Sequence, residues 1–109
     1  MFRLVWFLEG NVGAGPNQGP AYRLDTDYEF VRVWSHSGLT GDGNLTYDIN
    51  ADGVSLLSGD AVLTDQGTEE VGNVNASAVV LSEGKVITLD IEGAGSRSDV
   101  TIQLDLEEL

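Results

Sequence analysis

Residues 99–106, Asp-Val-Thr-Ile-Gln-Leu-Asp-Leu, alternate polar and apolar without a break. That period of two places Val100, Ile102, Leu104 and Leu106 on one face of an extended strand. Asp99, Thr101, Gln103 and Asp105 fall on the other. A strand of this kind belongs to an antiparallel sheet with one face in a core and one face wet. The same period recurs along the chain. Residues 85–92 put Ile87, Leu89 and Ile91 together, and residues 44–50 do the same with Leu45, Tyr47 and Ile49. Residues 29–35 place Val31 and Val33 on one face. Tyr28, Phe30, Arg32 and Trp34 lie on the opposite one. Shorter candidate strands occupy 53–59, 60–65 and 75–81. No window carries the sustained three-and-four spacing of an amphipathic helix.

Between these runs lie clusters rich in Gly, Asn, Asp, Ser and Pro, at 10–20, 35–44, 50–53, 65–73, 82–84 and 92–98. Short strands punctuated by turns predict an all-β fold, an antiparallel β-sandwich of about eight strands. The length of 109 residues fits a single domain. Within it, residues 1–20 read as an N-terminal strand or arm with a glycine-rich loop, and 21–109 as the sandwich.

The first strand differs from the rest. Phe2, Leu4, Trp6 and Leu8 share one face, and Val5 and Phe7 the other. A strand apolar on both faces wants cover on both. One cover is the core; the other is a neighbouring subunit or the long loop at 11–20.

Eighteen acids face five lysines and arginines, a net charge of −13. Such a chain is repelled by nucleic acid and by anionic membrane, and neither is expected as a partner. No stretch approaches the roughly 20 apolar residues of a membrane span. The N-terminus shows no apolar signal region followed by a small-residue cleavage site. The chain is expected to be made in a cytoplasm and to stay soluble. It holds no cysteine, which rules out disulfides and thiol chemistry.

The segment Asp48–Gly53, D-x-N-x-D-G, spells the opening of a calcium loop. Such a loop needs an acid at its twelfth position and a helix on each side. Gly59 stands at that position, and the flanks read as strands. Asn50–Gly53 is therefore expected to be a tight hairpin turn, with Asp52–Gly53 supplying positive φ angles. The lone His36 lies at a loop entrance without a second histidine, so no zinc site is expected. Ser35 and Ser37 flank it, but sequence neighbours do not make a triad. Glycine-rich 10–19 has no helix after it and is not a phosphate loop. Acid pairs such as Asp25/Asp27 and Glu69/Glu70 arise by chance among eighteen acids. No catalytic residue, cofactor or metal is expected, and the chain reads as non-enzymatic.

One constellation remains. Aromatic residues with arginine are enriched at interfaces, and Tyr28, Phe30, Arg32 and Trp34 are expected to share a face. They form a subunit interface, a sugar-stacking platform, or a second packing surface under the 11–20 loop.

The order of pieces resembles a known family. "YEFVRVWSHS" precedes a glycine-bearing loop, and "NLTYDINADGVSLLSG" follows it. After a polar region the chain closes with "VVLSEGKVITLDIEGAGSRSDVTIQLDL". This is similar to small jelly-roll domains of tailed-bacteriophage virion proteins, from about Tyr22 to Leu106. The match departs from the family before the Asp-Ile-Asn strand, at Ser37–Asn44, and in the first ten residues. The resemblance implies a jelly roll without catalytic residues. It implies a virion structural protein, foremost a capsid decoration or cement protein on the capsid exterior. Its partner would be the major capsid protein, and its state commonly a homotrimer. The alternative is a tail or fibre module that binds a receptor or host glycan. Phe2, Leu4, Trp6 and Leu8 in the arm, with Phe30, Arg32 and Trp34, are the interface residues expected on that reading.

Overall fold

The structure, a computed structural model, describes residues 2–39, 44–63, 67–71, 79–93, 95 and 98–109. Among these, all regular structure is β-strand. The strands are β1 (Phe2–Asn11), β2 (Tyr22–Arg23), β3 (Tyr28–Leu39), β4 (Leu45–Ala51), β5 (Val54–Ser55), β6 (Ala61–Leu63), β7 (Gly67–Val71), β8 (Val80–Leu81), β9 (Val86–Gly93) and β10 (Ser98–Glu108).

They form two antiparallel sheets. One runs β1-β10-β3-β7, with β8 also on β3; the other runs β2-β9-β4-β5, with β6 also on β4. The pairing is nested. The first strand pairs the last, β2 pairs β9, β3 pairs β7 and β8, and β4 pairs β5 and β6. Rolling such a nested hairpin brings β10 against β3 and β9 against β4. That is a jelly roll of eight strand positions, two of them filled by pairs of short segments. The all-β sandwich expected from the alternation is the fold. Residues 65–73, read from sequence as a turn, contribute β7. Much of the strand expected at 75–81 lies outside the described residues, and β8 is its end.

The inward faces meet in one core. β10 supplies Val100, Ile102, Leu104 and Leu106; β9 supplies Ile87, Leu89 and Ile91; β4 supplies Leu45, Tyr47 and Ile49. These are the faces that the alternation assigns. β4 turns into β5 through Asp52 (φ 49°) and Gly53 (φ 81°), between the paired Ala51 and Val54. Two consecutive positive φ values are what a type I′ hairpin turn demands, and Asp-Gly supplies them at low cost. The flanking elements are strands, not the helices of a calcium loop.

Two sequence expectations are corrected here. β3 does not keep strict alternation. Its register with β10 steps from Asp105↔Arg32 to Leu106↔Phe30, which leaves Val31 as an extra residue. This β-bulge reverses the phase of β3 midway. Before it, Tyr28 and Phe30 face the core; after it, Val33, Ser35 and Ser37 do. Arg32 and Trp34 are thereby turned outward, away from Phe30. The four residues do not share a face.

The second correction concerns β1. Leu4 and Trp6 point into the core, and Trp6 is fully buried. Burying about 200 Å² of aromatic surface contributes roughly 5 kcal/mol at most. The indole N–H donates to the Pro20 carbonyl at 2.8 Å, and the Tyr22 ring stands edge-on at 5.4 Å. The 11–20 loop therefore seals Trp6, not Trp34. It then runs beside β9, with a bridge at Gly15↔Ile91 and a bond from Gln18 N–H to the Leu89 carbonyl. Phe2 lies at the strand's start, partly exposed and stacked on Tyr28 at 5.0 Å.

Candidate functional site

Antiparallel pairing sets side chains from neighbouring strands in rows. On the outer face of the first sheet, three rows cross β1, β10 and β3 in register. The first is Arg3, Asp105, Arg32; the second Val5, Gln103, Trp34; the third Phe7, Thr101, His36. This nine-residue patch has one net positive charge, from two arginines and one aspartate, on a chain of −13.

Asp105 is the patch's fixed point. It is fully buried although it lies on the outer face. Arg3 Nε donates to its Oδ1 at 2.8 Å and Arg32 Nε to its Oδ2 at 2.9 Å. The arginines close over the carboxylate from the two flanking strands. Burial pushes the Asp105 carboxyl up, but the hydrogen bonds and charges of Arg3 and Arg32 outweigh it and hold the group below the usual range. Arg32 is also held over the Trp34 ring, 5.6 Å from its centre. Both guanidinium groups are thus fixed in place while each side chain stays partly open to solvent.

Beside them, Arg3, Arg32, Trp34, Gln103 and Thr101 line a shallow depression of about 360 Å³. Phe7 is 57% exposed and Val5 38%. Large apolar side chains left open next to arginine and tryptophan make a surface suited to binding.

Of the seven residues expected at an interface, the structure brings Arg32 and Trp34 together on this patch. Leu4, Trp6 and Phe30 lie in the core instead. Phe2 sits at the edge on Tyr28, and Leu8 packs partly against the core. The sequence reading missed Arg3, Val5, Phe7, Gln103 and Asp105. Their outward phase was legible in each strand alone. Which strands stand side by side was not, and only the β1-β10-β3 order assembles the patch.

The outer face of the other sheet is acidic. Asp48 and Asp90 are directly opposed on β4 and β9. Each is held by neutral donors: Ser55 Oγ donates to Asp48 at 2.6 Å, and Asn50 Nδ2 and Asn17 N–H donate to Asp90 at 2.8 and 2.9 Å. Burial raises the Asp48 carboxyl, with the Ser55 bond opposing and the Asp60 and Asp90 charges adding. Near the sandwich's end, the Tyr28 hydroxyl donates to Asp25 at 2.6 Å. That bond, with some desolvation and the Asp25 charge, lifts the phenol to about 12.

Comparisons of the chain with protein-family models, with curated proteins and with solved structures find no match. What defines its class is the architecture, a jelly roll whose first sheet carries a small arginine- and aromatic-bearing patch on its outer face, on an acidic body.

Proposed function

We propose that this chain is a non-enzymatic structural protein of a tailed-bacteriophage virion. It docks as a decoration subunit on the outer surface of the capsid shell, with the major capsid protein as partner. The observation that carries this reading is the nine-residue patch on a nested jelly-roll frame. The frame agrees with the family that the order of sequence pieces resembles. Fold alone does not give function, so the site must supply the rest. Its arginines are set before any partner arrives, which lowers the ordering cost of docking. Trp34, Phe7 and Val5 add apolar area around them. A subunit that binds the assembled shell but not its free pieces shifts the equilibrium toward the intact particle. Strong negative charge over the remaining surface suits a position away from the packaged nucleic acid.

Quantitative mass spectrometry of virions purified from the producing host tests this. A copy number in fixed proportion to the major capsid subunit is expected. A few copies per particle would move the protein to the tail or a fibre. Trp34→Ala should lower occupancy on the shell while leaving the melting temperature of the free protein near its original value.

The depression beside Trp34 favours one second reading, a receptor- or carbohydrate-binding module of a tail or fibre. A partly buried indole whose ring borders the depression can stack on a sugar ring, with Gln103 and Arg3 beside it to bond the sugar hydroxyls. Low copy number together with hits on a glycan array would select it. A blank array at high protein concentration would remove it.

A further inference from the structure

Proteins blunt the free edges of their sheets because unpaired N–H and C=O groups recruit other strands. Among the described residues, three of the four sheet edges follow that rule. β5, β6, β7 and β8 are short segments, and β2 is two residues prolonged by the irregular 11–20 loop. β1 does not follow it. It is ten residues long and lies at the end of its sheet. It holds no proline or lysine, and its bulge comes only beyond Leu8.

The Val5 carbonyl faces away from β10, since it accepts the Tyr22 hydroxyl at 2.6 Å. N–H and C=O of one strand residue point to the same side and alternate along the chain. The backbone groups of Arg3, Val5 and Phe7 therefore line the open edge. Among the described residues, the Tyr22 hydroxyl at Val5 is the only hydrogen-bond partner found there. A carbonyl has two lone pairs, so Val5 can accept a strand N–H with Tyr22 in place.

We infer that β1 pairs edge to edge with β1 of a second copy, antiparallel about a two-fold axis at Trp6, and fuses the two first sheets into one. Charge selects both the occupant and the register. Two chains of −13 repel each other, yet residues 2–10 carry one arginine and one glutamate and are neutral. This is the edge along which two copies can approach. With the axis at Trp6, Arg3 of each copy stands opposite Glu9 of the other. Val5 then stands opposite Phe7, which covers two side chains otherwise left open. Moving the axis to Val5 sets Arg3 against Phe7 and leaves Glu9 without a cation. The pairing is isologous and closes at two copies. It shares Arg3, Val5 and Phe7 with the docking patch but is read on the free chain, and it differs from the trimer that the family resemblance implies.

Analytical ultracentrifugation of the purified chain at micromolar concentration should give twice the chain mass. Glu9→Arg, which sets arginine against arginine, should weaken the dimer about tenfold or more. Val5→Pro removes an outward N–H without touching the β1-β10 ladder, and should give a monomer that melts close to the original protein. If Val5→Pro fails to fold, Glu9→Arg keeps the test alive. Because the chain has no cysteine, crosslinking reads the register directly. An equal mixture of Val5→Cys and Phe7→Cys proteins should form a covalent dimer under oxidation, and neither alone should. A monomer or trimer by mass, a dimer indifferent to both Glu9→Arg and Val5→Pro, or self-crosslinking of either cysteine variant alone would overturn the inference. None of these results bears on copy number in the virion, so the two readings fail separately.

Discussion

Asp105 and Trp6 occupy neighbouring strands and answer opposite questions about what a side chain does for this fold. The Asp105 carboxylate is out of water and bonded to two guanidinium groups. Its folded pKa lies below its unfolded value, which is near 3.9 for a free aspartate. A group with a depressed pKa contributes stability that is present above the unfolded value and lost as pH falls through the folded one. The stability of the protein should therefore decline below about pH 4. Asp105→Asn should lose roughly 1–3 kcal/mol at neutral pH, because neutral oxygen replaces a charge-assisted acceptor between two arginines. The gap between variant and original should close as the solution is acidified. Urea denaturation at several pH values measures both. Trp6 is held by packing instead. Trp6→Ala should cost about 3–5 kcal/mol, whereas Trp34→Ala, at an outward and only partly buried position, should stay within about 1 kcal/mol. Melting curves of the two variants separate a core tryptophan from a surface one.

At the scale of the element, legibility follows from how local the controlling interaction is. β4, β9 and β10 bury the alternate residues that their own sequences name, because each keeps one phase along its apolar run, the β9 bulge at Glu92 coming only after Ile91. β3 carries the same kind of alternation on paper. Its phase change comes from opposing one β10 step with two β3 steps, at Val31, and no residue type in the stretch announces that. The inward Ser35 and Ser37 are the trace of it. They fall on the core side after the bulge, and Ser35 Oγ is buried without a hydrogen-bond partner among the described residues. Strict alternation groups Phe30 with Trp34 on one face, so it shows only half of the patch. Deleting Val31 tests the role of the bulge. Without it, strict alternation must expose either Tyr28 and Phe30 or Val33, since a one-residue slip moves a whole set across the sheet. The deletion should abolish cooperative unfolding, while Val31→Thr, which keeps the residue count, should retain it.

The nested topology decides how the whole molecule holds together. β1 begins the chain and β10 ends it, yet they pair along nearly their full length, from Phe2↔Leu106 to Leu8↔Val100. Read from the sequence, residues 1–20 looked separable, an arm that reaches toward a neighbour. In the fold, β1 supplies Leu4 and Trp6 to the core, Arg3 to Asp105, and one flank of β10. Closing this pair requires the two termini to meet, and loop-closure entropy makes such non-local sheets slow to form. Refolding is accordingly expected on a scale of roughly milliseconds to seconds. A chain lacking residues 1–11 puts the two views in direct conflict. A detachable arm would leave a sandwich with a sharp thermal transition a few degrees from the original. An integral β1 would leave β10 as a raw edge, uncover the apolar side chains packed around Trp6, and strand Asp105 with one arginine. The expected outcome is the second: no cooperative melting transition, dye binding of exposed apolar surface, and aggregation, with β-strand signal by circular dichroism reduced. Recovery of the transition on adding a synthetic peptide of residues 1–11 would show that the loss comes from the missing strand pairing and not from damage elsewhere.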